Sequence, residues 1–69
     1  MRRNVHIEIN PDIMGGTPVI RGTRVPVYTV LQLIERGQSI EQILDELPYL
    51  SREGIEAAVI YARAHLRTD

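Results

Sequence analysis

Apolar and polar residues alternate near the start of the chain. The segment VHIEIN, residues 5–10, has an apolar side chain at every second position: Val5, Ile7 and Ile9. A period of two is typical of a β-strand with one buried face. The Asn-Pro-Asp sequence at residues 10–12 favours a turn. The sequence therefore predicts a half-buried strand that ends at this turn.

The next segment, GGTPVIRGTRVPV at residues 15–27, is rich in glycine and proline. It contains two near-copies of one phrase, GTPV and GTRV. A proline biases the preceding residue toward extended conformations, and residues 18–20 and 23–25 are predicted to be two short extended pieces around a turn at Arg21 and Gly22. Pro26 suits the first turn of a helix. Residues 1–26 are therefore predicted to form a β arm with a rigid hairpin.

From Val27 onward, apolar residues recur every three or four positions, which is the period of an amphipathic helix. A first helix is predicted from there to a glycine terminator at Gly37. Ser39 and Gln42 have the spacing of a capping box, which predicts the start of a second helix. Pro48 ends that helix.

A third, longer helix follows a short turn. Ser51 is its predicted N-cap, and the helix is expected to run to about Leu66. Short connections require the three helices to pack as neighbours at steep angles. The predicted fold is a single, mainly α domain over residues 1–69. A small N-terminal β element precedes a three-helix, helix-turn-helix bundle at residues 27–67.

Composition narrows the class of protein. The 69 residues leave room for one small core, and an apolar fraction of 43% is ordinary for a globular chain. The absence of cysteine excludes a disulfide scaffold and a thiolate metal site, and it fits a reducing compartment. No apolar run approaches the length of a membrane span, and no signal peptide opens the chain. We therefore expect a cytoplasmic protein without a membrane partner.

The third helix has a second apolar stripe in addition to its core-facing one. This stripe consists of Ala57, Ile60, Tyr61 and Ala64. A chain this short cannot easily bury both stripes, so the second one predicts an association surface. The alternative is that the N-terminal arm folds over it. A homodimer is expected through this stripe, through the apolar residues of the arm, or through both; the residues of the arm are Val5, Ile7 and Ile9.

Charged residues on the third helix raise the possibility of DNA binding, since the last helix of a helix-turn-helix faces DNA. The candidate DNA-binding residues are Arg52, Glu53, Glu56 and Arg63, with Arg21 and Arg24 beside the hairpin turn. Arginine can bridge guanine and glutamate can accept from cytosine. However, the net charge of −1 gives no global basic footprint. The alternatives are charge pairs on a solvated helix face, and hairpin arginines that are solvated or bind a partner's carboxylates.

No catalytic chemistry can be assigned. The glycines do not match the dinucleotide-binding fingerprint, and a chain without lysine cannot form a P-loop. His6 and Glu8 share a strand face and could bind a metal, but a solvated polar face explains them better. No pairing of a nucleophile with a base is evident. We expect no enzymatic activity, no cofactor and no metal.

The combined pattern resembles the bacterial and archaeal family called domain of unknown function 433, also described as VapB-type antitoxin-like. The resemblance covers residues 15–62, and its most specific pieces are GTPVIRGTRVPV, GQSIEQIL and LPYLS. It implies a homeodomain-like or winged-helix-like trihelical domain with a small N-terminal β element. Many members are encoded beside a PIN-like nuclease-type protein. This implies the antitoxin of a type II toxin–antitoxin pair that also represses its own operon.

Two functional hypotheses follow. The first is a homodimeric antitoxin that binds operator DNA and neutralises a PIN-like toxin. The alternative is a protein-binding module, with the trihelical shape as a scaffold and no DNA binding, that caps its partner through Ile60, Tyr61 and their neighbours. Antitoxins commonly wrap their toxin with a disordered tail. This chain stops at Asp69, soon after the third helix, so we expect neutralisation through the folded surface.

Overall fold

Three helices follow two short strands in the computed structural model, which describes residues 5–65. The elements in chain order are β1 (Ile7–Glu8), β2 (Val19–Ile20), α1 (Val27–Glu35), α2 (Ile40–Glu46) and α3 (Arg52–His65). The predicted mainly helical fold with a small N-terminal β element is therefore confirmed. Its finer assignment to the helix-turn-helix class remains a prediction. The predicted end of α3 at Leu66 lies outside the described residues.

The predicted N-terminal strand is present but short. β1 pairs antiparallel with β2, and Ile7 lies opposite Ile20. Ile7 is buried, whereas Val5 and Ile9 are 62% and 58% exposed. The pairing is short because β2 has only two residues, and the Asn-Pro-Asp turn follows, where the Asn10 side chain accepts from the Asp12 amide at 2.8 Å. The expectation of a buried face along residues 5–10 is therefore correct only at Ile7.

The glycine- and proline-rich segment folds as the predicted hairpin. After β2 the chain reverses, and the Ile20 amide donates to the Val25 carbonyl at 2.9 Å. Along the same edge of the strand, the Val27 amide donates to the Pro18 carbonyl at 3.0 Å. The returning arm leads directly into α1, whose first residue follows Pro26. The hairpin and the first helix are thus one continuous structure.

Local signals define the ends of α1 and α2. Gly37 adopts a φ of +98°, which favours glycine, and its amide donates to the Ile34 carbonyl at 3.0 Å. The predicted capping box is present at the start of α2. The Gln42 amide donates to Ser39 Oγ at 3.1 Å, and the Ser39 amide donates to Gln42 Oε1 at 2.8 Å. Pro48 lies just beyond the end of α2, as predicted.

The core lies between α1, α2, α3 and the β arm. α1 and α3 make the most extensive contact between elements. Apolar side chains from both strands and all three helices belong to one buried cluster or lie beside it. The largest completely buried side chains are Val19, Val27, Val30, Ile43 and Ile55.

The β arm lies against the start of α3. A Cβ atom at Gly54 would lie only 3.3 Å from Cγ2 of Ile20, so the missing side chain allows β2 to approach the helix closely. Ser51 Oγ accepts from the Gly54 amide at 2.9 Å, as expected for an N-cap. The arm therefore covers α3 at Gly54 and leaves Arg52 and Glu53 on its outer side exposed.

Candidate interaction surfaces

The predicted second apolar stripe of α3 is divided between the core and the surface. Ala57 and Tyr61 are half-buried and pack against the core, so the sequence-based assignment of both to a free surface is only partly correct. Ile60 is 69% exposed, and Ala64 is exposed as well. The Tyr61 ring stacks on His65 with centroids 4.0 Å apart. Ile60 is the large apolar side chain of the stripe that remains in solvent.

A shallow groove of about 350 Å³ lies beside Ile60 and is here called the α3 groove. Its apolar lining comes from the end of α1, the start of α2 and the middle of α3: Ile34, Ile40, Val59 and Ile60. Its two charged lining residues are Glu56 and Arg63, which are both exposed. The sequence did not reveal this groove, because Ile34, Ile40 and Val59 follow the core-facing periodicity of their helices. The one signal in the sequence was that Ile34 is the last, and Ile40 the first, of the apolar residues that recur with helical period in the first and second helices.

Arg52, a candidate DNA-binding residue, forms an ion pair with Glu41 on the neighbouring helix. Both side chains are exposed, and the pair joins the start of α3 to the start of α2. The hydrogen bond from Arg52 lowers the pKa of Glu41, and Glu41 in turn raises the pKa of Arg52. A phosphate group would have to compete with Glu41 for this guanidinium.

The outer side of α2 is acidic. It exposes Glu41, Asp45 and Glu46, and these three residues are here called the acidic surface. On α3, the positive charges of Arg52 and Arg63 are matched by the negative charges of Glu53 and Glu56, which are also exposed. The predicted DNA-binding helix is therefore neutral and lies beside an acidic one, which repels phosphate.

Arg21, the other main candidate for phosphate binding, ties the N-terminal arm to the hairpin. The His6 carbonyl accepts from the Arg21 amide and so faces β2. The carbonyl of Ile7, the next residue and the first of β1, points the opposite way and faces the open edge of the sheet. Arg21 donates from Nη2 to this carbonyl at 3.2 Å and from Nε to the carbonyl of Val5, just before the strand, at 2.8 Å. Its guanidinium therefore blocks the edge that another strand would use.

The N-terminal arm offers less interface than the sequence predicted. The Ile7 side chain packs in the core of the chain and is not available to a second chain, which corrects the expectation for this residue. Val5 and Ile9 remain exposed. Arg24 is exposed on the returning arm of the hairpin, where it stays a candidate for binding a partner's carboxylates.

A second depression, of about 280 Å³, lies between the hairpin and the α2–α3 turn. Val5 and Tyr49 both line it, and Tyr49 is 65% exposed. Tyr49 follows Glu46 by three residues, so an exposed aromatic ring adjoins the acidic surface in sequence. Aromatic residues of this kind are enriched among the residues that dominate binding energy at protein interfaces.

Two further properties concern the described part of the chain. Residues 5–65 contain no cluster of three or more His, Asp or Glu side chains that could hold a metal ion. None of the helices within this range has the length and hydropathy required to cross a membrane. The expectation about metal binding stays a prediction.

These features define a class of protein, a small, mainly helical domain that exposes an apolar groove and an acidic helix. The model of the family described as "Protein of unknown function (DUF433)" matches residues 7–62, so the chain belongs to this family. The resemblance to domain of unknown function 433 is thereby confirmed, whereas the description as VapB-type antitoxin-like stays a prediction.

Two proteins similar to this chain are longer than it, and the chain spans less than two thirds of each. The chain is 54% identical over 56 residues to the uncharacterized protein y4eO of Sinorhizobium fredii (strain NBRC 101917 / NGR234), a match that covers 81% of this chain and 25% of that protein. It is also similar to a DUF433 member protein from Anabaena variabilis ATCC 29413, known from a crystal structure. That match has a TM-score of 0.79 and 33% identity, and covers 87% of this chain and 59% of the other.

Proposed function

We propose that this chain is a protein-binding module, the antitoxin of a type II toxin–antitoxin pair, which restrains a PIN-like nuclease through its folded surface. The proposal assigns no catalytic role to the chain and implies a cytoplasmic location. The observation that carries it is the acidic surface of α2, where Asp45 and Glu46 are exposed and form no ion pair within residues 5–65, with exposed Tyr49 close by in the sequence.

Charge is the main argument for a protein partner of this kind. A nuclease attracts a polyanion, so its substrate cleft carries positive charge. The acidic surface presents the same sign of charge as a phosphate backbone and is therefore complementary to such a cleft. Tyr49 would add an aromatic anchor, because its ring is already presented to solvent by the α2–α3 turn.

The comparison with relatives supports the interpretation as a module. The same domain covers only a quarter of the Sinorhizobium protein and about three fifths of the Anabaena protein. A domain that occurs within chains of different length can serve as a binding unit whose fold does not depend on one particular neighbour.

Co-expression with the adjacent nuclease-type gene product tests the proposal. Asp45→Arg combined with Glu46→Arg reverses the charge of the acidic surface, and we expect it to abolish co-purification. Asp12→Arg is the matched control, because Asp12 is an exposed carboxylate on the N-terminal arm, and it should leave co-purification unchanged. Equal recovery of the partner with both variants would exclude the acidic surface as the binding site.

Operator binding is the second candidate function. The arrangement that favours it is the short turn between α2 and α3, which leaves the outer side of α3 exposed with Arg52, Glu53, Glu56 and Arg63. The acidic surface opposes it, so the complex with a basic partner is the form expected to bind DNA. A gel shift with the upstream DNA at low salt, with and without the partner, tests whether the chain binds operator DNA. Absence of binding in both samples would reject this function.

A further inference from the structure

The α3 face around Ile60 has a charge pattern that is complementary to itself. In the segment EAAVIYAR, residues 56–63, Val59 and Ile60 form an apolar centre. Glu56 lies three residues before this centre and Arg63 three residues after it. Both charges are exposed and line the α3 groove. Within residues 5–65 the ion pair present joins α2 to the start of α3, so Glu56 and Arg63 form no ion pair there.

We propose that a second copy of this chain occupies the α3 groove, related to the first by a two-fold axis that passes between Val59 and Ile60. In such a dimer the two α3 helices run antiparallel, and every contact occurs twice. Val59 of each copy then lies against Ile60 of the other. Glu56 of each copy faces Arg63 of the other, because these residues are equally far from the axis.

The shape of the surface fits the same arrangement. Ile60 projects into solvent beside a groove that is lined by Ile34 and Ile40. In the two-fold dimer, the Ile60 side chain of each copy enters the α3 groove of the other. One contact therefore buries Ile60 and fills the groove. The small side chain of Ala64, exposed one turn further on, allows the helices to approach closely. Occupancy by a second copy thus satisfies apolar and charged groups together.

This interface differs from the others that the chain could use. The open edge of β1 is blocked by the guanidinium of Arg21. Neither Asp45, Glu46 nor Tyr49 lines the α3 groove, so dimerisation leaves the proposed partner surface free. The dimer therefore does not depend on the proposed function. In this dimer Glu56 and Arg63 lie in the interface between the copies and are not available to bind DNA.

Sedimentation equilibrium of the purified chain is the first test. We expect a dimer at micromolar concentration. Ile60→Asp places two carboxylates at the apolar centre, and it should raise the dissociation constant by at least about a hundredfold. Tyr49→Asp is the matched control, because Tyr49 is comparably exposed outside the groove, and it should remain dimeric. Circular dichroism checks that each variant is folded.

A charge-exchange experiment tests the register of the interface. Glu56→Arg alone brings two arginines together at each end of the contact, and Arg63→Glu alone brings two glutamates together. Each single variant should dimerise about tenfold more weakly than the wild type or worse. An equimolar mixture of the two should form heterodimers, because every contact then joins opposite charges. The double variant Glu56→Arg, Arg63→Glu should regain dimerisation.

Three results would overturn the proposal. A wild-type chain that stays monomeric up to high micromolar concentration would leave the α3 groove to a different protein. A dimer that Ile60→Asp does not weaken would place the interface elsewhere. Single charge variants that fail to recover dimerisation when mixed would exclude the antiparallel contact between Glu56 and Arg63.

Discussion

Replacement of Arg21 by alanine distinguishes a structural tie from a phosphate-binding residue. The substitution removes two hydrogen bonds, to the carbonyls of Val5 and Ile7, which lie 16 and 14 residues away in the chain. Each bond is worth about 1 kcal/mol net at a partly exposed site, so we expect a loss of about 2 kcal/mol in the free energy of unfolding. For a domain of this size, the melting temperature should fall by about 8–16 °C.

Thermal and urea unfolding at one fixed protein concentration measure this effect, since self-association would otherwise shift the midpoint. Arg24→Ala is the control, because Arg24 is exposed on the same hairpin, and it should change stability by less than about 0.5 kcal/mol. Arg21→Lys should give an intermediate loss, because an ammonium group cannot reproduce the planar two-point contact. Equal stability of Arg21→Ala and the wild type would refute this reasoning and return Arg21 to the phosphate-binding candidates.

Three other substitutions probe the fold. Ser39→Ala removes half of the capping box and should cost about 1 kcal/mol in chemical denaturation, with no change in the denaturant slope. Gly54→Val forces a side chain against Ile20 and should cost about 1–3 kcal/mol by the same measurement. Arg52→Gln should raise the pKa of Glu41 in an NMR titration. Because Arg52 lowers this pKa in the folded chain, their pair stabilises the fold above the unfolded-state pKa, and this contribution is lost as the pH falls through the folded-state value. An unchanged free energy of unfolding for Ser39→Ala or Gly54→Val would contradict the contact concerned, and so would an unchanged pKa of Glu41 for Arg52→Gln.

The sequence predicts the helices well because their signals are local. The change of period at Val27, the Ser39–Gln42 capping box and the glycine at position 37 each act within a few residues. The length of β1 was predicted less well. Alternation of side chains shows which face a strand would bury. Pairing, however, stops where the two-residue partner strand β2 stops, and this partner lies far from β1 in the sequence.

The interaction surfaces depend on contacts that periodicity does not encode. Helical periodicity grouped Tyr61 with Ile60, yet Tyr61 is half-buried against the core and Ile60 is exposed. The α3 groove combines the end of α1 and the start of α2 with the middle of α3, so it exists only after the helices are packed. Nothing in the sequence indicated that Arg21 has hydrogen-bond partners in the fold. Its acceptors are backbone carbonyls, which every residue carries, so no residue type marks them.

The exposed face of α3 is proposed to be an interface between two copies of the chain in solution. An isotope-filtered NMR experiment on a mixture of labelled and unlabelled chains tests this directly, since it detects only contacts between copies. In the proposed dimer, we expect intermolecular contacts from the Ile60 methyl groups to the side chains of Val59, Ile34 and Ile40. Intermolecular contacts confined to other surfaces, or none in a concentrated sample, would contradict it.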